Sequence, residues 1–277
     1  MAIDVFLIIL FAALLHATWN AVVKLGSDTL LSTCLITAVA AAIALPILPF
    51  IDAPARSSWP YLIPSAALQV GYFVLVAHTY RLADMSQTYP LMRGVAPLLV
   101  AVFSVLVLGE TLAHSAWVGI GIISVGILSL AARPAAGQGK GVLLALLNAA
   151  IIASYTVIDG LGARQSGTPL AYTLWLFVLT GLMLGCWAAL SQGRAFGRYA
   201  LAHGVLGLVG GFGTLASYGL ALWAMTVAPI AMVAALRETS ILFAVVIAAV
   251  VLKEQLSTRR VFAACAIAIG AIALRWG

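Results

Sequence analysis

The chain has 277 residues, 64% of them hydrophobic and 8% charged, with a mean hydropathy of +1.15. A soluble domain is about 45–50% apolar and about 25% charged, so a soluble enzyme, a nucleic-acid binder and a disordered chain are all excluded. The net charge of +6 therefore reads as Lys and Arg gathered in loops on one side of a bilayer.

A membrane-crossing helix needs about 20 mostly apolar residues. Ten such runs stand between polar breaks: 3–23, 30–50, 61–80, 86–108, 115–132, 141–158, 169–190, 202–223, 229–252 and 261–276. Turn formers and charges mark the breaks, among them Gly26-Ser27-Asp28, Asp52-Ala53-Pro54, Gly109-Glu110-Thr111 and the stretches 160–168, 191–198 and 253–260. None of the runs alternates polar with apolar residues, so the spans are expected to be helices and not barrel strands. The first run carries Asp4 where a signal peptide would carry Lys or Arg, and further spans follow it. Cys34, Cys186 and Cys265 lie inside apolar runs with neither a C-x-x-C pair nor a His-rich stretch, and they read as small core residues.

The chain repeats itself. Arg93 and Arg237 lie 144 residues apart, and so do Glu110 and Glu254, Gly126 and Gly270, and Leu108 and Leu252. Apolar matches are cheap in this composition, but a matched Arg inside a span and a matched Glu just after it are not. The unit holds five spans, 1–136 and 137–277. An odd number sends the second copy into the membrane from the opposite side. The expected fold is therefore an all-α integral membrane protein of ten transmembrane helices in two inverted five-helix repeats, with a substrate site near the midplane between them.

Two segments carry a family resemblance. "LMRGVAPLLVAVFSVLVLGETL" and "ALRETSILFAVVIAAVVLKEQL" resemble the fourth and ninth helices of EamA-like transporters in the drug/metabolite transporter superfamily. "LLHATWNAVVK" is similar to the first helix of a subgroup, some of whose members are associated with phosphonate use. The resemblance implies a multi-pass transporter of the inner cell membrane and a small-molecule substrate. The superfamily handles amino acids, sugars, nucleotide-sugars, choline-like cations and drugs. Many members carry Glu-Pro in the ninth helix, where this chain has Ser240-Ile241, with Ala96-Pro97 as the first-half counterpart. A proline kink is therefore expected in the fourth span and not in the ninth.

Of the 14 basic residues, only Arg93 and Arg237 sit near the middle of a span. A mid-span Arg costs roughly 2.5–3.5 kcal/mol on insertion scales, so such residues face a cavity or a partner. Glu238 is read as the only acid equally deep. It neighbours Arg237 about 100° round the helix, so it is expected to reach Arg93 across the repeat interface. One positive charge then remains for a ligand. The substrate expected is a small anionic or zwitterionic metabolite, an amino acid or organic acid first and a phosphonate second, with export by alternating access. A structural Arg–Glu–Arg knot is the alternative.

Polar stripes at helical spacing supply the other candidates: His16 and Asn20 with Trp19 between them; Gln69, Tyr72 and Thr79, with His78 roughly opposite; Ser86, Tyr89 and Arg93; Asn148, Tyr155 and Asp159; Thr214 and Tyr218. Lipid offers them no hydrogen bonds, so they should face inward, whether toward substrate or toward one another. The expected substrate-binding set is Arg93, Arg237, Glu238, Tyr89, Trp19, Asn20, His16, Tyr72, His78, Tyr155 and Tyr218. Glu238 is the first candidate for a coupling proton, with His16, His78 and Asp159 behind it. Gly181/Gly185 and Gly207/Gly211 have the spacing of close helix packing. Spans five and ten carry no charged residue in their apolar stretches and are expected at the periphery.

No HExxH, GxSG, GxxxxGK[ST] or C-x-x-C motif is present, so the reading is not an enzyme. No cofactor or metal is expected, and the partners are substrate, lipid and protons, in a monomer or homodimer. A drug or cation exporter, a channel and a structural membrane protein are the competing classes. Orientation is pulled two ways. Loops after odd spans hold Lys24, Arg81, Arg133, Lys140, Arg194, Arg198, Lys253, Arg259 and Arg260, against Arg56, Arg164 and Arg275 opposite. The basic count favours outside termini, whereas the resemblance implies cytoplasmic ones.

Overall fold

The computed structural model describes residues 1–23, 28–131, 139–250, 253 and 255–276. Lys24, Arg133, Leu252 and Glu254 lie outside them, so the Glu254 half of the repeat pairing and part of the basic-loop count have no structural counterpart here. Every regular element among the described residues is helical. In the first half these are the α-helices α1 (Ile3–Val23), α2 (Thr29–Ala44), α3 (Trp59–Leu82), α4 (Met85–Leu106) and α5 (His114–Leu128), with short 3-10 turns at Leu48–Phe50 and Arg56–Ser58. The second half holds α6 (Gly139–Gln165), α7 (Pro169–Gln192), α8 (Arg194–Ala202), α9 (Gly204–Val227), α10 (Ile230–Arg237), α11 (Thr239–Val250) and α12 (Thr258–Arg275).

Local chemistry sets several of these ends. The Asp28 carboxylate accepts from the Leu30 and Leu31 amides at 2.9 and 3.0 Å, capping α2. Pro60 and Pro169 sit in the first turns of α3 and α7, where no helical partner awaits their missing N–H. On α1, Ile3, Leu7, Phe11 and Leu14 form one exposed apolar stripe, while Val5, Ile9, Ala12, Ala13 and Ala17 are buried on the other side. In water such a stripe would be unfavourable, whereas against lipid it is the natural outer surface.

The halves interleave. α1 packs on α9 and α11, α2 on α7 and α9, α3 and α4 on α6, and α5 on α12. Both glycine pairs face α2: a Cβ on Gly181 would strike the Thr37 carbonyl, and one on Gly211 would come within 3.0 Å of the Ala40 nitrogen. α5 and α12 meet at Gly119 and Gly270, where a Cβ on Gly119 would lie 2.8 Å from the Gly270 carbonyl oxygen.

Among the described residues, eight helices are long and apolar enough to cross a membrane, counting Ile230–Val250 as one. α5 has 15 residues, about 22 Å of helix at 1.5 Å per residue. α12 has 18 but carries Arg259, Arg260 and Arg275. Four expectations need correcting. The sixth span runs to Gln165 and not to Ile158, so Asp159 lies inside a helix. The stretch after the seventh span is not a plain loop but contains α8, anchored by the buried Tyr199 hydroxyl 2.7 Å from Ser32 Oγ. The ninth span is interrupted at Glu238, while α4 continues through Pro90 and Pro97. Cys34 is buried, but Cys186 and Cys265 are exposed.

Candidate functional site

Arg93 projects from the middle of α4, and its Nε donates to Glu238 Oε2 at 2.9 Å. Their side chains are 11% and 7% exposed, so this is a buried pair joining the two halves. Glu238 occupies the break in the ninth span. Its amide donates to the Ala235 carbonyl at 3.1 Å and its carbonyl accepts from the Ile241 amide at 3.0 Å. Both are three-residue spacings, so the helix tightens for one turn. That turn separates Arg237 from Glu238. Arg237 lies over the Tyr218 ring, its Cζ 4.8 Å from the ring centroid, a cation–π distance.

A small cavity opens here, walled by Arg93, Pro97 and Val100 of α4, Ile152, Tyr155 and Thr156 of α6, and Ala234, Arg237 and Glu238. Arg237 reaches this wall with no carboxylate in ion-pair range among the described residues. Tyr72, Tyr89 and Tyr155 surround the Arg93 side of the cavity and pack on Met92, Ala96 and Ile152. The Tyr72 and Tyr155 rings meet edge-on with centroids 6.2 Å apart. α1, which packs on α9 and α10, brings His16 and Trp19 to this side. The His16 and Trp19 rings meet edge-on at 5.2 Å, and Gly213 lets α9 come against Trp19: a Cβ there would sit 2.7 Å from the Trp19 Cβ.

Behind Arg237 lies a second centre. Asp159 is fully buried. Its Oδ2 accepts from the Tyr218 hydroxyl at 2.5 Å and from Gln69 Nε2 at 3.2 Å. Its Oδ1 accepts from the Tyr172 hydroxyl at 3.0 Å, and Ser65 Oγ stands one step behind, accepting from Gln69 Nε2 at 3.3 Å. Four helices thus converge on one carboxylate. The expectation that Glu238 is the only deep acid is corrected: Asp159 is at least as deep, and the balance is two arginines against two acids. Neutral donors stabilise Asp159, so Arg237 still lacks a directly paired anion.

A second Arg–Glu pair lies at the helix ends. Gly109, at φ +68°, takes a left-handed turn that suits glycine and delivers Glu110. Arg164 Nη2 donates to Glu110 Oε1 at 2.7 Å and to the Ala228 carbonyl at 3.0 Å, while its Nε donates to the Met225 carbonyl at 2.7 Å. Glu110 Oε1 also accepts from the Ile230 amide at 3.2 Å, capping α10.

The structure gathers Arg93, Arg237, Glu238, Tyr89, Tyr72, Tyr155, Tyr218, His16 and Trp19 into this region. It does not bring in Asn20 or His78. Both are exposed, and the Asn20 amide donates to the His16 carbonyl of its own helix at 2.7 Å. Thr79 and Asn148 pair with each other at 3.2 Å between α3 and α6. Tyr172 and Ser65 escaped sequence reasoning. Neither carries a distinguishing signal, since a lone Tyr or Ser in an apolar run is ordinary. Asp159 was visible but stood just past an assigned span end.

A family model described as the EamA-like transporter family matches residues 5–132 and again residues 139–276. A solved structure, described only as the crystal structure of a protein, is 20% identical, with a TM-score of 0.78 over 98% of this chain and 98% of its own. That likeness concerns the fold alone. No curated protein matches. With two copies of the family pattern spanning nearly the whole length, the chain belongs to the EamA-like transporter family, within the drug/metabolite transporter superfamily.

Proposed function

We propose that the protein is a secondary transporter that carries a small anionic or zwitterionic metabolite by alternating access. The observation that carries this reading is Arg237: a cation on the cavity wall, held over an aromatic ring with its fork of N–H groups unpaired by any carboxylate among the described residues. Guanidinium binds carboxylate and phosphonate through paired hydrogen bonds. Arg93, already engaged by Glu238, shapes the wall beside it. Tyr72, Tyr89 and Tyr155 supply apolar faces for a carbon skeleton. A carboxylate substrate, amino acid or organic acid, comes first and a phosphonate second, with export as the direction and the inner cell membrane as the location.

Ten crossings in two inverted halves, 1–136 and 137–277, complete the proposal. α5 and α12 then cross as a mutually packed pair, the glycine contact making up for their modest length. A site walled by α4 on one side and α10 on the other fits a cavity between repeats.

Tyrosines around a cavity also suit a quaternary ammonium ion, so the test is a choice between charges. Purified protein is melted with glutamate, alanine, lactate, methylphosphonate, choline and a lipophilic cation. A ligand that binds the folded state raises its stability by RT ln(1 + [L]/Kd). The expected result is stabilisation by the acids or the amino acids. Stabilisation by the cations alone overturns the proposal in favour of a drug or cation exporter.

A further inference from the structure

We propose that Asp159 is a proton-binding site, filled when an anion engages Arg237, so that substrate and proton are bound together. The inference rests on the anionic-substrate reading, and it moves the coupling proton from Glu238 to Asp159.

Glu238 is the weaker candidate by geometry. It is already paired with Arg93 at 2.9 Å, and a proton there would leave Arg93 buried without its partner. Asp159 differs. Among the described residues it makes no ion pair, and every group on it is a neutral donor. Arg237 reaches it only through Tyr218, whose hydroxyl donates to Asp159 while its ring lies under Arg237. A phenol that donates to a carboxylate has a more electron-rich ring, so Asp159 and Arg237 stabilise each other through one side chain.

An anion arriving at Arg237 upsets this balance. It takes up the guanidinium charge that polarises the Tyr218 ring, and so weakens that ring's support of the buried carboxylate. An uncompensated buried charge is far costlier than its neutral form, so the group neutralises. The balanced step is simple. A proton from cavity water forms an O–H bond on Asp159 Oδ2. The Tyr218 hydroxyl rotates, and its oxygen accepts from Asp159 where it formerly donated. Gln69 has Ser65 Oγ as a second partner at 3.3 Å, and the rotated Tyr218 O–H turns away from Asp159 to donate to water.

The other charged or titratable groups facing Asp159 do not replace this role. α6 itself offers Tyr155, and Arg164 further along is taken by Glu110. α7 offers Tyr172. α4 offers Arg93 and the ninth span Glu238, which neutralise one another. α3 contributes Ser65 and Gln69, which carry no charge, together with the phenols of Tyr61, which accepts from Gln165 at 2.9 Å, and of Tyr72, edge-on to Tyr155.

Two measurements test the proposal, one of them without any substrate. In Arg237→Gln, or Arg237→Met if the first does not fold, Asp159 should hold a proton at neutral pH. Infrared spectra should then show a protonated-carboxyl C=O band that is absent from the native protein. That band should vanish in Asp159→Asn/Arg237→Gln and persist in Glu238→Gln/Arg237→Gln. In unmodified protein, L-glutamate binding followed with a pH dye should take up one proton per site. Affinity should then fall about tenfold per pH unit on the alkaline side, and Asp159→Asn should flatten that slope. No Asp159-dependent band, or binding without proton uptake, overturns the proposal. An Asp159-dependent band with no anion of the panel bound overturns the anionic-substrate reading instead, and the coupling with it.

Discussion

Two arginine–glutamate pairs tie the first half of the chain to the second, and they differ in what surrounds them. Arg164 and Glu110 meet at helix ends and are tied into the backbone: the guanidinium also holds two carbonyls, and one carboxylate oxygen caps α10 while the other is buried without a partner. Arg93 and Glu238 meet at mid-helix, beside a cavity, with a second arginine and a ring of tyrosines around them. In the first pair the bonded atoms are shared with backbone, which is what a fastening does. In the second the same residue types border unfilled space. Equal chemistry at nearly equal distance, 2.7 against 2.9 Å, therefore has different work to do, and context decides which.

The largest effect should come from breaking the buried pair. Arg93→Met leaves the Glu238 carboxylate uncompensated, at a cost of about 3–5 kcal/mol. Adding Glu238→Met should recover most of that stability while transport stays absent, as reversible unfolding in detergent and vesicle flux would show. If the double variant is no more stable than the single, the pair is not a separable unit. Next comes Arg164→Ala, which strips partners from Glu110 and from the Met225 and Ala228 carbonyls. About 1.5–3 kcal/mol is expected, with ligand affinity unchanged. A large affinity change would show that the two pairs are coupled and not divided as drawn.

The contrast between the pairs also marks what a sequence discloses. The membrane class and the doubling of the chain were legible, because apolar runs of span length and a matched Arg and Glu are one-dimensional signals. The reach of Glu238 to Arg93 followed from helix geometry alone. Asp159 and Arg164 misled, because a charge in a sequence looks the same at a hydrated helix end as in a buried network. Its partners, Gln69 and Tyr218, lie 90 and 59 residues away, so no local pattern announces them. The break at Glu238 was also hidden: the proline stands in α4, yet the turn tightens in the ninth span, where the carboxylate must meet Arg93. α8 went unseen because its nine residues are too few for a periodic signal.

A smaller effect, of a different kind, is expected at Arg237. Arg237→Lys keeps the charge and loses the fork. It should weaken binding of the stabilising acid about tenfold, or ~1.4 kcal/mol, in a titration by thermal shift. The melting point without ligand should hardly move, since lysine keeps the positive charge beside the Tyr218 ring and no carboxylate among the described residues is paired directly with this side chain. A fall in stability with unchanged affinity would return Arg237 to a structural role.

The smallest effect should belong to Glu110→Gln, the isosteric change that leaves the outer pair in place but removes its charge. The amide oxygen can still accept from the Ile230 amide and from Arg164, so both hydrogen bonds survive. Lost are the attraction to Arg164, whose side chain is 31% exposed and so partly screened, and the interaction with the positive end of α10. A carboxylate at a helix N-terminus contributes roughly 0.3–1 kcal/mol. The total should stay below about 1 kcal/mol and should shrink further in high salt, where the Debye length contracts to about 3 Å at 1 M. Flux should be unchanged. The same substitution at Glu238 removes the counter-charge of a buried arginine, so the two glutamines should differ by several-fold in cost. If Glu110→Gln stops flux in a protein that melts normally, the outer pair opens and closes during transport, and its backbone contacts describe only one state of the cycle.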